Sequence, residues 1–370
     1  MSTAMPTIER IETAAISLPV RADLLVRGAR GTHDRSDFLL VRVTTSDGGT
    51  GIGEVSATPV WSGEDGASAD HFIRTALMPA LIGQPLAPVG ALEAVMDRAL
   101  AGNPFTKAGV SIALWDAYAR TLDVPLAVAL GGPYRTQVPI KFSLSGNGEE
   151  LDTVYAGATA AGFRAFKVKV GLGVAGDIAR MARARELAGP DTFLGLDANG
   201  GWSRAEAARA VKELLAYGPA FLEQPLPPAD LDGLRELRGT GLPIVADESV
   251  FDLDDLVRAV QARAADVVSV YVGKAGGPGR AVRMGQTAAA FGLEILLGSN
   301  GELGVGAAAQ LHVACAVPEL SEFPSDIIGA YYYDSDILAE SFATDGRQAT
   351  LPSGPGLGVT LQDEVLRRFR

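Results

Sequence analysis

Cysteine is nearly absent from this 370-residue chain: the only one is Cys315, inside the apolar stretch LHVACAV. No intramolecular disulfide can form, which fits a reducing cytoplasm, and the residue reads as a small core hydrophobe. Histidine is almost as scarce. His33, His71 and His312 are the only three, and none closes an apolar run, so soft ligands are too few for a zinc or copper centre. Basic residues are outnumbered, with 32 Lys and Arg against 44 Asp and Glu and a formal net charge of −12. That balance lacks the basic face of a nucleic-acid binder and the cationic surface that holds an anionic membrane. It leaves room for an anionic substrate, because a local group of lysines and a metal ion overrides the global sign. No apolar run reaches the ~18 residues of a membrane span. The N-terminal MSTAMPTIERIETAAISL carries acids early and has no apolar core of the signal-peptide kind.

The chain is rich in apolar residues, 47% against 21% charged, which is a globular balance, and its length calls for one large domain plus a smaller one. Residues 7–20 and 37–56 read as strands, the second broken at Asp47-Gly48-Gly49, a hairpin turn. The polar ADLLVRGARGTHDRSD between them reads as a loop. From 70 to 130 the apolar spacing becomes helical, with Val110, Ala113, Leu114 and Ala117 on one face. This α+β part, residues 1–132, ends at the breaker cluster Leu130-Gly131-Gly132-Pro133. From 133 to 344 short apolar runs alternate with Ala/Arg/Glu-rich helices. Strands are expected at 138–144, 165–170, 193–197, 220–223, 243–247, 266–272, 293–297 and 320–323, with seven helices between them. Alternation of this kind is the pattern of an α/β fold with a parallel sheet, and eight strands suggest a closed, TIM-like barrel. The tail, 345–370, is expected to pack back on the first domain.

Six ionisable residues punctuate the barrel region. Lys169, Asp197, Glu223, Asp247, Lys274 and Glu302 follow one another at gaps of 28, 26, 24, 27 and 28 residues, each at or just past the end of an apolar run. One strand, one helix and two short loops consume about 25–30 residues, so charges at successive strand ends converge on one pocket. Singly, an Asp after a strand is an ordinary N-cap or turn residue, and a lone K-x-K is an edge-strand device. Together they read differently. Lys167 and Lys169 share one strand face. Asp197, Glu223 and Asp247 offer three carboxylates with open positions left over, which suits Mg²⁺. Glu248 and Asn199 are placed to orient those ligands. A metal that polarises a substrate carboxylate makes its α-hydrogen acidic, a neighbouring cation such as Lys167 favours a neutral lysine as base, and the enediolate is held by the metal. Lys274, if strands run in order, stands across the barrel from Lys169.

A lysine base beside Mg²⁺ and an enediolate is the chemistry of the enolase superfamily. The chain resembles its muconate lactonizing enzyme (mandelate racemase/muconate lactonizing enzyme) subgroup over nearly its whole length. The matching residues are Lys167-Val168-Lys169, LDANGGW around Asp197, EQP from Glu223, ADES with Asp247 and Glu248, GKAGG with Lys274, and NPFTKAGVSIALWDAYAR followed by LGG. The resemblance implies a modified (β/α)8 barrel under an N-terminal α+β capping domain. It implies Mg²⁺ on Asp197, Glu223 and Asp247, with Lys169 and Lys274 as acid/base groups on opposite faces of a small carboxylate and Lys167 tuning Lys169. Specificity would come from capping loops at about 19–33 and 53–62, where Arg27, Arg30 and Trp61 are candidate substrate contacts. Glu302 is expected to be electrostatic or substrate-facing. Asp326 is expected to contact a substrate ammonium or amide, or else to cap a turn. The reaction would be racemisation or epimerisation, muconate-type cycloisomerisation, or elimination of water. DIIGAYYYDSDIL is closer to racemases of amino-acid derivatives. A homo-oligomer, dimer or octamer, is also implied.

One rival reading comes from a different class. Gly171-Leu172-Gly173-Val174-Ala175-Gly176 is a formal G-x-G-x-x-G after a strand and before a helix, with Asp197 ~20 residues on, as in a nicotinamide-dependent oxidoreductase. It leaves Glu223, Asp247 and Lys274 without a role, and it puts two lysines on a strand that such a fold would bury.

Overall fold

The structure, a computed structural model, describes residues 5–370. An antiparallel sheet of Ile8–Pro19, Arg35–Thr45 and Thr50–Ser56 opens the chain. The helix Pro104–Thr121 lies against its last strand at backbone contact distance. A Cβ on Gly51 would sit 2.1 Å from the Ala113 carbonyl oxygen, and one on Gly53 would sit 2.0 Å from that of Gly109. Glycine at alternate strand positions is what allows that approach. The segment expected as a loop between the first strands contains a 3₁₀ turn, Ala22–Leu24, and a small hairpin, Val26–Gly28 with Gly31–His33.

Seven parallel strands follow in sequential order: Phe142–Leu144, Ala165–Lys169, Phe193–Asp197, Leu222–Glu223, Ile244–Ala246, Val267–Val270 and Glu294–Leu297. Each connection is a helix, which is how parallel neighbours are joined. Two of these helices begin where the sequence marks their start. Ser203 and Glu206 form a reciprocal capping box, and Asp252 accepts from the Asp255 amide, each satisfying amides that a helix start leaves open. The expected eighth strand is not a strand. Leu320 and Ser325 touch the seventh strand and the residues leading into the first through single bridges to Ile295 and Ile140. Pro324 between them has no N–H for a ladder, and its carbonyl instead accepts from Lys141 Nζ at 2.6 Å. This segment closes the ring. The expected first strand, 138–144, is split. Gln137–Pro139 pairs antiparallel with Gln348–Thr350, and the Ile140 amide donates to Arg347 at 2.9 Å rather than to a barrel neighbour. At the chain's end Arg370 and Thr13 exchange backbone hydrogen bonds of 3.1 and 3.2 Å.

Strand alternation decides what fills the barrel. Leu194, Leu196, Phe166, Val168 and Leu222 point outward into the main core shared with the helices. Inward-facing Phe221, Val245, Val267 and Leu296, with Phe193 and Phe323, make a separate apolar plug at one end. Further along the second to fifth strands the inward residues are charged: Lys167, Lys169, Asp197, Glu223 and Asp247. The fold is α/β, a TIM-like barrel with an N-terminal α+β unit, and its charged layer sits at the strands' C-terminal ends, where βα loops build sites. No helix among the described residues is long and apolar enough to cross a membrane.

Candidate active site

Register places the charged groups side by side. Lys169 pairs with Asp197 across two strands, Asp197 with Glu223 across the next two, and Glu223 with Val245, two residues before Asp247. All three acids are buried, and each is matched by lysine. Lys169 Nζ donates to Asp197 Oδ2 at 2.7 Å and to Asn199 Oδ1 at 3.1 Å. Lys167 Nζ lies 3.1 Å from both oxygens of Glu223 and 3.4 Å from Asp197. Lys274 Nζ lies 2.6 Å from Asp247 Oδ1. Burial works against charge at Asp197, yet Lys169 and Lys167 hold its carboxyl down at about 2. Glu223 goes the other way. Burial pushes it up to about 8, against Lys167 and with the nearby carboxylates of Asp197, Asp247 and Asp326. Burial opposes charge on Lys167 too, but Asp326, Glu223 and Asp197 keep it protonated well above the usual range, so it is a fixed cation beside Lys169.

The donor set, three buried carboxylates at adjacent strand ends, has the hard-oxygen chemistry that Mg²⁺ requires. As placed, each carboxylate is turned to a lysine, and among the described residues no three His, Cys, Asp or Glu side chains converge on one point. An ion held there competes with those ammonium groups for the same oxygens. Glu248 and Asn199 stand beside the set. Asn199 Nδ2 donates to Glu248 Oε1 at 3.1 Å, and the Asn199 amide donates to Asp197 Oδ1 at 3.0 Å. Burial pushes Glu248 up to about 7, with Asp247 and Asp197 acting the same way and Arg30 against.

A cavity of about 170 Å³ opens above this layer. Segments 19–33 and 53–62 do reach it, through Val20, Gly28, Arg30, Gly31, Thr32, Thr58, Val60 and Trp61. Arg30 pairs with Glu248 at 3.2 Å. Arg27 does not reach the cavity. It pairs with Glu150 at 2.7 Å, with both side chains about half exposed. Glu302 is also turned away. Its carboxylate accepts from Ser299 Oγ and the Asn300 amide, so it braces the loop whose residues Ser299, Asn300 and Gly301 line the cavity. Asp326 lines the cavity, and as a partner of two lysines rather than as a turn cap: Lys141 Nζ at 3.0 Å and Lys167 Nζ at 3.1 Å.

Lys274 sits in the single helical turn Val272–Ala275 past the sixth strand and, like the three acids, is buried beneath the cavity-lining residues. Tyr271 lines the cavity beside it, its hydroxyl donating to Asp247 Oδ2 at 2.8 Å. Lys141, Ser143, Tyr271 and Tyr332 were missed from sequence. For Tyr271 a signal was there, since Val267, Ser269 and Tyr271 alternate onto one strand face and Lys274 falls off that count.

The rival glycine motif is filled from within. The Asp177 carboxylate accepts from the amides of Gly171, Leu172 and Gly173 at 3.0, 3.2 and 3.1 Å, from Trp202 Nε1 at 2.9 Å and from Arg180 at 2.8 Å. The amides that a pyrophosphate would use already hold an anion.

Comparison with known proteins agrees with this architecture. A family model described as mandelate racemase/muconate lactonizing enzyme, N-terminal domain, matches residues 10–131, and one described as enolase C-terminal domain-like matches residues 151–365. The L-Ala-D/L-Glu epimerase of Bacillus subtilis is 33% identical over 357 residues, covering 95% of this chain and 96% of that protein. Muconate cycloisomerase 1 of Rhodococcus opacus is 31% identical over 376 residues, with 98% of each covered. A solved dipeptide epimerase from Enterococcus faecalis, complexed with Mg and the dipeptide L-Leu-L-Tyr, superposes with a TM-score of 0.90 at 28% identity, covering 96% of this chain and 99% of that one. The chain belongs to the mandelate racemase/muconate lactonizing enzyme subgroup of the enolase superfamily, and it is an enzyme of the isomerase class.

Proposed function

We infer that this enzyme removes the α-proton of a small carboxylate, with Lys169 as base, in a Mg²⁺-dependent racemisation, epimerisation or cycloisomerisation. The observation that carries this is Lys169 itself, a partly exposed amine on the cavity wall whose Nζ touches Asp197, the first of three buried acids on consecutive strands. Asp197, Glu223 and Asp247 would hold Mg²⁺, which when bound supplies Lewis-acid stabilisation of the charge that develops on the substrate carboxylate. Lys169 acts once its pairing with Asp197 is relaxed, Asn199 Oδ1 keeping the amine aimed while it takes the proton. Lys167 stays charged and supports negative charge nearby.

The lining favours an anion. Arg30, Lys141, Lys167 and Lys169 face the cavity against one acid, Asp326, and Asp326 already pairs with two lysines. The cations are likewise paired, Lys169 with Asp197, Lys167 with Glu223 and Arg30 with Glu248, so diacids, N-acylated amino acids and dipeptides are all tested. The test is α-hydrogen exchange in D₂O, read by mass spectrometry, with cis,cis-muconate-derived lactone, N-acyl amino acids and L-Ala-L-Glu. Exchange that needs Mg²⁺ and vanishes in Lys169→Ala supports the reading. Exchange that survives Lys169→Ala, or persists in EDTA, sinks it.

A further inference from the structure

Every charged side chain in the cavity lining already meets an opposite charge. Lys169 pairs with Asp197, Lys167 and Lys141 with Asp326, and Arg30 with Glu248. A second charge on the substrate, beyond the carboxylate that reacts, finds no unpaired partner among them. An arm ending in a carboxylate would have to draw Arg30 off Glu248, and one ending in an ammonium would have to draw Asp326 off two lysines. Taking a charge out of water without a partner is costly.

Polar side chains on the wall between the seventh strand and the capping unit are spent in the same way. Asn300 Nδ2 donates to the Ser56 carbonyl at 2.7 Å, the Ser299 hydroxyl donates to Glu302, and the Tyr333 hydroxyl donates to the Gly301 carbonyl at 2.8 Å. These bonds tie segment 53–62, the loop past the seventh strand and Tyr333 into one arc. The ends of the arc are hydrocarbon. At one end stand Val60 and Trp61; at the other are Val20, which bridges Tyr333, and Ile328, which precedes the turn Gly329–Tyr332. Ile328 follows Asp326 by two residues and both line the cavity, so the eighth segment presents an acid and then a branched alkyl group. Val60 is 71% exposed on the helical turn Pro59–Ser62. Its neighbour Trp61 is fixed, stacked on Phe251 at 5.1 Å and 28° and edge-on to Phe105 at 5.9 Å. The turn therefore holds an uncovered alkyl group in place on the cavity wall, and burying such a surface is favourable.

We propose that the substrate carries, beyond its reacting carboxylate, a neutral apolar arm that lies along this arc, and that Val60 and Ile328 determine specificity for it. This rests on the α-proton reading above and narrows its substrate class to carboxylates with an alkyl or acyl arm, set apart from diacids and from arms that end in a charge. Such an arm gains affinity with its length, because each methylene it buries leaves water.

Two measurements test this on the full-length, Mg²⁺-supplemented enzyme. The first needs no turnover. Isothermal titration with N-acylglycines, from acetyl to hexanoyl, is expected to show Kd falling roughly 3–4-fold with each added methylene. A flat series, or no binding at any length, would overturn the proposal. Val60→Asp, at a position open to solvent, is expected to flatten the series, and a wild-type slope in that variant would count against it. The second compares α-hydrogen exchange in D₂O for an N-butanoyl amino acid and its N-succinyl counterpart, which has a carboxylate in place of the terminal methyl group. The butanoyl compound is expected to have a kcat/KM at least ~10-fold higher, and Val60→Arg, which adds an unpaired cation, is expected to narrow that ratio. A wild-type preference for the succinyl compound, or a ratio that Val60→Arg leaves unmoved, would refute the assignment. If neither compound exchanges while the titration keeps its slope, the function reading fails and the apolar arm stands.

Discussion

His312 gives this enzyme a defined acid sensitivity. The imidazole is fully buried on the helix Gly304–Ala316. Its Nδ1 accepts from the Ala127 amide at 3.0 Å, and Nε2 lies 3.1 Å from the Leu357 carbonyl, to which it donates. The neutral ring is thus the one that fits, since a second proton would meet the Ala127 N–H. Burial lowers its pKa from 6.5 to about 4. The unfolded chain therefore binds the proton more readily between these values, so the contribution is complete above about pH 6.5 and is lost as pH falls towards 4. The loss is about 2 kcal/mol at pH 5 and about 3 kcal/mol at pH 4. Glu54 and Glu248, each raised to about 7, and Glu223, raised to about 8, act with the opposite sign, gaining stability as pH falls. The His312→Asn difference removes them. Its Oδ1 keeps an acceptor near Ala127, and the smaller side chain adds a cost that does not change with pH. Urea unfolding of both proteins by circular dichroism at pH 7.5, 6, 5 and 4 should show the wild-type advantage shrinking by about 3 kcal/mol over that range. A difference that stays constant across it would refute the assignment of a neutral buried ring.

Asp177→Asn leaves the buried Arg180 without its carboxylate and turns one of the two acceptor oxygens of the 171–173 turn into an NH2 donor. A loss of roughly 3–5 kcal/mol is expected in denaturant unfolding, with no gain of nicotinamide binding by fluorescence titration. Gly53→Ala sets a Cβ 2.0 Å from the Gly109 carbonyl and forces helix and sheet apart. Overpacking of this kind should cost roughly 1–3 kcal/mol and lower the melting temperature measured by calorimetry.

The barrel was legible because its strands are short, apolar and regularly spaced. The boundaries of Phe193–Asp197 and of the helix starting at Arg204 are close to what periodicity and the Ser203 cap indicate. The eighth strand was not legible, because Pro324 removes a donor that composition alone does not weigh. The site was readable to the extent that parity was followed. Lys167, Lys169, Asp197, Glu223 and Asp247 sit at inward positions of their strands. Lys274 was placed by its spacing in the chain, and spacing along the sequence does not tell a strand residue from one on the turn beyond it.

What the sequence determined by itself is the class of chemistry: oxygen ligands and lysines at repeated strand ends, too few soft ligands for another metal, and the motifs that carry the family. The tertiary structure alone decided which groups meet. Lys141 and Asp326, far apart in the chain, are an ion pair only because the ring closes. Glu302 turns into its own loop, and the Gly171–Gly176 amides are taken by Asp177. Tyr271 lines the cavity and the Lys274 ammonium is held on Asp247 and Ser269 oxygens, because strand alternation and hydrogen-bond acceptors fix a side chain's direction, and neither is visible in the spacing of charges.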